Sequence, residues 1–460
     1  MSAVRGPMSG GLRADALSFF ESLVMGVAGS APGYTIAVTT GVLLATAGTL
    51  APSALIVFAV PMLGIAIAYR ALNRQRVSAG AAYQWTSSVF GRFLGFFSGW
   101  ALLVAALVFM VTGSIPAATA SLNFIDPGLA GDVILTASVS SLWFVAVALV
   151  LIMGIEITSK VQLVMTGIEL VILAFVLIAA FVHMLEAGAV NAFSWSWFGL
   201  GYSGKTFATS ALVVVFFYWG WDVTANLGEE TANAEHTAGN GGFASVVVTI
   251  IYYLGFTLAA LFLFSLKDAK SLTDNIIYNL AVASGLGRTG GLAASLAVIL
   301  SSIATLETTM LQFSRTLFAM GRDRAMPHLF GQVSAKTQSP IRAMYLLIGV
   351  GLVLLWASSL MPSVNAIITA SVNAVAIQVA YYYGLAGLVA AWSFRGARGL
   401  EWLILCVYPG ISGVMLMILG VYAITTFDLI TQVVGVGGFA LGILFYRPGG
   451  HPAPAEAAPV

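Results

Sequence analysis

Twelve predominantly apolar runs fill almost all of this 460-residue chain: roughly 17–46, 53–71, 93–122, 133–155, 162–185, 206–227, 240–265, 290–319, 341–360, 364–392, 400–424 and 427–446. A helix needs ~20 such residues to cross a hydrocarbon core ~30 Å thick. Lipid offers the backbone no hydrogen-bond partner, so runs of this kind are expected as helices. Charged residues make up 8% of the chain and hydrophobic ones 59%. Soluble domains average about 25% charged, which excludes a soluble fold of this size. The expected fold is an all-α polytopic membrane protein with twelve transmembrane helices. The first and third runs are overlong, which predicts a broken helix for one and a strongly tilted helix for the other.

Charge sorting predicts orientation. With a cytoplasmic N-terminus, only Lys205, Lys267, Lys270 and Arg288 of the 19 Lys and Arg residues fall in outer loops. The other fifteen, from Arg5 to Arg447, fall on the inner side. That bias predicts a multi-pass protein of the cytoplasmic membrane with both termini in the cytoplasm. Residues 1–16 read as a cytoplasmic segment without a cleavable signal, and the Pro/Ala-rich 447–460 as a disordered cytoplasmic tail. The single Cys406 excludes a disulfide within the chain. The four His residues have no metal-binding spacing, and no Walker pattern is present.

Three acids lie within apolar runs that hold no Lys or Arg: Glu169 in VMTGIELVILAFVLIAA, Asp222 in FFYWGWDV and Glu307 in LAVILSSIATLETTMLQF. A carboxylate at membrane depth costs at least ~3 kcal/mol on insertion scales and marks an ion or solute pathway. The first run is interrupted by MGVAGSAPGYTIAV, where Gly29, Ser30, Ala31, Pro32 and Gly33 stand mid-span. Pro32 cannot donate to a helix ladder and disfavours helix at Ala31. The sixth run has its soft point at Gly220, between Tyr218 and Asp222. Breaks in corresponding positions of two halves point to a midplane binding site. They correspond here if the chain is a five-plus-five inverted repeat (about 17–185 and 206–392) with two extra helices at 400–446.

Four ordered stretches resemble the amino acid–polyamine–organocation superfamily of permeases: Ser78–Trp100, Gly154–Leu170, FFYWGWDVTANLGEETANAE from Phe216, and Ser314–Pro340. The resemblance implies a leucine-transporter-type fold, with helices 1 and 6 broken and transport by alternating access. It implies that Gly29, Ser30, Ala31 and Gly33 line the solute site, with Phe216 as a gating aromatic. The chain departs from the family pattern in four places. The usual Gly-Ser-Gly reads Gly29-Ser30-Ala31-Pro32-Gly33, Glu169 stands where many relatives place Lys, Glu307 stands where a small polar residue is usual, and Asn-Pro-x-Arg reads Asn233-Ala234-Glu235-His236.

These residues set the expectations. Asp222 pairs with a solute ammonium or caps the following helix. Phe216, Trp219 and Trp221 form an aromatic wall that attracts ammonium groups, or an ordinary packing face. The resemblance implies that Glu169 and Glu307 lie near one another; two carboxylates in a low-dielectric pocket cannot both stay ionised cheaply, so one carries a proton or a cation sits between them. Glu21 joins an inner gate or is a solvated acid. Glu229, Glu230, Arg315, Arg322 and Asp323 make gate salt bridges at the cytoplasmic surface, and Glu156 and Lys160 mark an inner loop. The expected function is secondary transport of a small cationic amine or amino acid, driven by protons or sodium. A zwitterionic amino acid carrier of the same fold, and a channel or transport-like receptor, are the alternatives. No enzyme activity, cofactor or nucleic-acid partner is expected.

Overall fold

The computed structural model describes residues 11–271 and 276–448. The first ten residues of the expected N-terminal segment, and 449–460 of the expected tail, lie outside the described residues. Among those described the chain is helical, with one isolated bridge between Leu17 and Thr231. In order, the α-helices are α1 (Phe19–Ser30), α2 (Pro32–Ala47), α3 (Ala51–Gln75), α4 (Ala82–Ile125), α5 (Val133–Ile152), α6 (Ile155–Ala187), α7 (Gly204–Phe217) and α8 (Val223–Asn226). They continue with α9 (Ala234–Leu263), α10 (Leu266–Ser271), α11 (Ile276–Ala281), α12 (Gly287–Arg322), α13 (Ile341–Ser358), α14 (Val364–Ser393), α15 (Gly399–Trp402) and α16 (Tyr408–Thr426). Nine helical runs among the described residues are long and apolar enough to cross a membrane, and Leu429–Phe445 is a shorter apolar one.

The helices are amphipathic in reverse. On α6, Val164, Ile168, Val171, Phe175, Ile178 and Val182 form an exposed apolar stripe at helical spacing. The opposite face buries Gln162, Thr166 and Glu169. An apolar exterior around a polar interior is what lipid as a solvent selects. The site-bearing helices pack centrally: α12 and α14 both lie along α4, and α16 lies along α14. The overlong third run falls in α4, where Gly91 (φ 83°, ψ 173°) breaks the helix before it resumes towards Ile125.

Both predicted interruptions are present. α1 ends at Ala31, which adopts φ 48°, ψ 69°, and α2 begins at Pro32. Proline suits a first helical position because its missing N–H would be unpaired there in any case. Between α7 and α8, Tyr218 to Trp221 leave helical form, with Gly220 at φ 100°. The two breaks touch. A Cβ on Gly29 would overlap the Gly220 carbonyl oxygen, and a Cβ on Gly220 would overlap that of Gly29. Glycine at both positions is the condition for the two broken segments to cross.

Candidate functional site

A break frees backbone groups, and here the protein answers them itself. The Gly29 carbonyl accepts from the Thr305 hydroxyl at 3.0 Å. The Ser30 carbonyl accepts from Thr35 at 2.9 Å and from the Tyr253 hydroxyl at 2.7 Å. The Gly33 N–H donates to Glu169 Oε1 at 2.9 Å, tying α2 to α6. Glu169 is 0% exposed, and its Oε2 has no hydrogen-bond partner among the described residues. Ser301 closes the corner: a Cβ added to Gly33 would lie 3.2 Å from the Ser301 Cβ and 3.3 Å from Glu169 Oε1.

Asp222 lies at the inner end of the second break, fully buried. Its side chain does not cap α8, so the carboxylate serves no local helical purpose. Three donors from distant helices hold it instead. Tyr383 donates to Oδ1 at 2.8 Å, while Tyr382 and Gln312 donate to Oδ2 at 3.1 and 2.7 Å. Gln312 also reaches Asn226 Oδ1 at 3.3 Å. A neutral cage of this kind fixes an acid's position without supplying a counter-charge.

The aromatic residues divide into two groups around that cage. Trp219 donates from its indole to the Tyr382 oxygen at 2.6 Å and meets Phe109 edge-on at 5.2 Å. Phe216 packs between Tyr34 (6.3 Å) and Trp219 (6.4 Å). Trp221 faces the other way, against Tyr69 at 5.2 Å and Tyr383 at 5.6 Å, with its indole N–H unpartnered among the described residues. A cavity of about 820 Å³ is lined by Thr39, Asn123, Val213, Arg288 and Asn373 among others. Val213, one helical turn before Phe216, lines that cavity.

The other end of the molecule is closed. Glu230 and Arg315 form a bidentate pair, with both distances 2.8 Å and both side chains 0% exposed. This pair is buried, not at the surface as its sequence position suggested. Below it, Arg322 pairs with Glu229 at 2.7 Å, and the Gln84 amide donates to Asp323 at 2.7 Å. Arg288 and Arg315 share α12 and are 27 residues apart, about 40 Å at 1.5 Å per residue. One helix therefore carries the cavity at one end and the ion pair at the other. Glu21 belongs to neither: it completes a capping box with Ser18 at the start of α1. Glu156, in the first turn of α6, pairs with Arg13.

Glu307 is buried with Oε1 unpartnered among the described residues. Thr305 and Gln312, seven residues apart, share the face of α12 that meets the breaks. Two residues from Thr305, Glu307 projects about 200° away around the helix. No hydrogen bond among the described residues joins it to Glu169.

Sequence reasoning missed Tyr382, Tyr383, Gln312, Thr305 and Tyr253. A signal was available for the tyrosines: Tyr381–Tyr383 is a run of three hydroxyl-bearing rings inside an apolar span.

The sequence profile of a family described as amino acid permease matches residues 17–450. The vacuolar cationic amino acid transporter 2 of Arabidopsis thaliana is 26% identical over 304 residues, which cover 60% of this chain and 45% of that protein. The chain thus spans about half the length of such plant relatives. The methylthioribose transporter of Bacillus subtilis is 27% identical over 355 residues, 72% of each chain. Among solved structures, the manganese transporter of Eremococcus coleocola, in complex with an aromatic bis-isothiourea compound, superposes with a TM-score of 0.60 at 15% identity. That match covers 92% of this chain and 93% of the other, a likeness of fold.

Proposed function

This chain belongs to the amino acid permease family, and from that premise we propose that it carries a small ammonium-bearing solute, a cationic amine or amino acid, across the cytoplasmic membrane by alternating access coupled to protons. The observation that carries the reading is the position of Asp222. A buried carboxylate stands at the contact of two broken helices, with a cavity on one side and a buried ion pair on the other. Asp222 takes the solute's ammonium, Phe216 and Trp219 form the apolar wall, and the Gly29 carbonyl keeps a second acceptor position beyond its bond from Thr305. The open cavity and the closed Glu230–Arg315 end correspond to an outward-facing state, which the cycle inverts by separating that pair.

Glu169 is the proton carrier of the proposal. An ionised Glu169 holds the Gly33 N–H by a charge-assisted bond, which protonation weakens; loading a proton thereby loosens α2 from α6. Glu307, on the far face of α12, is the second proton site. Sodium is the alternative coupling ion. The layout proposed is twelve spans in a five-plus-five inverted repeat, with two further helices and both termini inside. Its support is simple: the 57-residue run Phe19–Gln75 holds two passes, α7 adds one despite its break, and Leu429–Phe445 adds the last to the nine long runs.

A second reading, a zwitterionic amino acid, is favoured by Arg288 in the cavity wall, a counter-charge for a carboxylate. The test is a thermal-shift screen of amines and amino acids on the purified protein. A ligand at 100 times its Kd adds ~2.7 kcal/mol, and Asp222→Asn should remove the shift while the protein stays folded. Absence of a shift with every amine and amino acid contradicts the proposal.

A further inference from the structure

The end of α2 that faces the break is, by its chemistry, an anion site. The first N–H groups of a helix have no intrahelical partner and carry the positive end of its dipole. In broken-helix transporters such half-helix N-termini point at anionic solute groups. In this chain the amide that meets Glu169 is already spent. Pro32 has none, the Thr35 N–H turns back to the Ala31 carbonyl at 2.8 Å, and the Gly33 N–H is held by Glu169 Oε1 at 2.9 Å. The second oxygen of that buried carboxylate has no hydrogen-bond partner among the described residues. No Lys or Arg occurs in residues 14–69 or 206–237, which contain both broken segments. A carboxylate arriving with a solute therefore meets an occupied amide, a like charge and no cation on either broken helix.

We infer that Glu169 is a built-in stand-in for a solute carboxylate, and that the site takes primary amines lacking one, the decarboxylated counterparts of amino acids. The inference rests on the proposed reading of the helix breaks as the solute site and narrows it to a substrate class. The carboxylate keeps one oxygen on Gly33 and leaves the other for an ammonium. An amine entering between Glu169 and Asp222 brings only the charge that both acids attract.

The experiment is calorimetry on the full-length protein in detergent with matched pairs: lysine and cadaverine, arginine and agmatine, leucine and isopentylamine. The expected result is that at least one amine binds ten-fold or more tightly than its parent amino acid. Parents binding as tightly as, or more tightly than, their amines in every pair overturn the inference and leave the proposed transport of an ammonium solute standing. No binding by any member overturns both. Glu169→Ala should release the Gly33 amide and narrow or reverse the preference by ten-fold. Should that variant fail to fold, Glu169→Gln, which keeps the volume and removes the charge, should narrow it as well. An unchanged preference in a folded variant overturns the inference.

Discussion

Replacing Glu230 by Gln tests the closed end of the molecule with little change of shape. Arg315 would lose its counter-charge and one of two acceptors, at 2.8 Å each, in a place where neither side chain is exposed at all. Its other hydrogen-bond partner among the described residues is the Ser314 hydroxyl at 3.1 Å. Breaking a buried ion pair from one side costs 3–5 kcal/mol, because the stranded charge stays desolvated. If the pair exists only while the inner end is closed, the same energy moves the conformational balance towards the inward-open form by about two to three and a half orders of magnitude. The assay is cysteine accessibility. Thr308→Cys, buried on the face of α12 that meets the breaks, is placed in a Cys406→Ser background and labelled from the cytoplasmic side with an impermeant maleimide. Labelling should rise steeply with Glu230→Gln. Labelling unchanged, together with an unchanged thermal midpoint, refutes the reasoning that this pair closes the inner end.

Gly29→Ala should lower stability by about 1–3 kcal/mol through overpacking against the Gly220 carbonyl, whereas Gly167→Ala, where a Cβ meets nothing within 4 Å, should leave the thermal midpoint unchanged or raised; equal effects would contradict the crossing of the breaks. Asp222→Asn should weaken solute binding at least ten-fold by calorimetry, and Tyr383→Phe, which removes one 2.8 Å donor, should weaken it less; unchanged affinity in Asp222→Asn rules the acid out as the ammonium partner. Glu169→Gln should abolish accumulation driven by a pH gradient yet keep solute exchange in liposomes at raised solute concentration, since a permanently neutral side chain mimics the loaded state but attracts the ammonium less. Loss of exchange as well would assign Glu169 to solute binding alone.

The parts of this fold that local chemistry decides could be read from the chain. Pro32 and the glycines around it force the first helix to end at Ala31, and Gly220 supplies the positive φ that opens the second break. Apolar run length found the long helices, although α4 begins at Ala82, eleven residues before its run at 93, and α6 at Ile155, seven before 162. What could not be read is which distant atoms meet. Glu169 and Gly33 are 136 positions apart, and Asp222 and Tyr383 are 161 apart. These pairings depend on how α6, α12 and α14 rotate about their own axes, which a uniformly apolar span does not encode. Arg315 looked like a surface residue because it lies near the end of a span; its burial comes from Glu230, folded beneath it after α8.

The central claim, solute carriage coupled to protons, is tested most directly by uptake into proteoliposomes. Labelled cadaverine and lysine are supplied outside, at acid external pH over a neutral interior, in sodium-free buffer. The account predicts accumulation of at least one of them above its equilibrium distribution, lost when a protonophore collapses the gradient and lost in Glu169→Gln. Equilibration without accumulation, or an ohmic current carried by the solute in a planar bilayer, would contradict it.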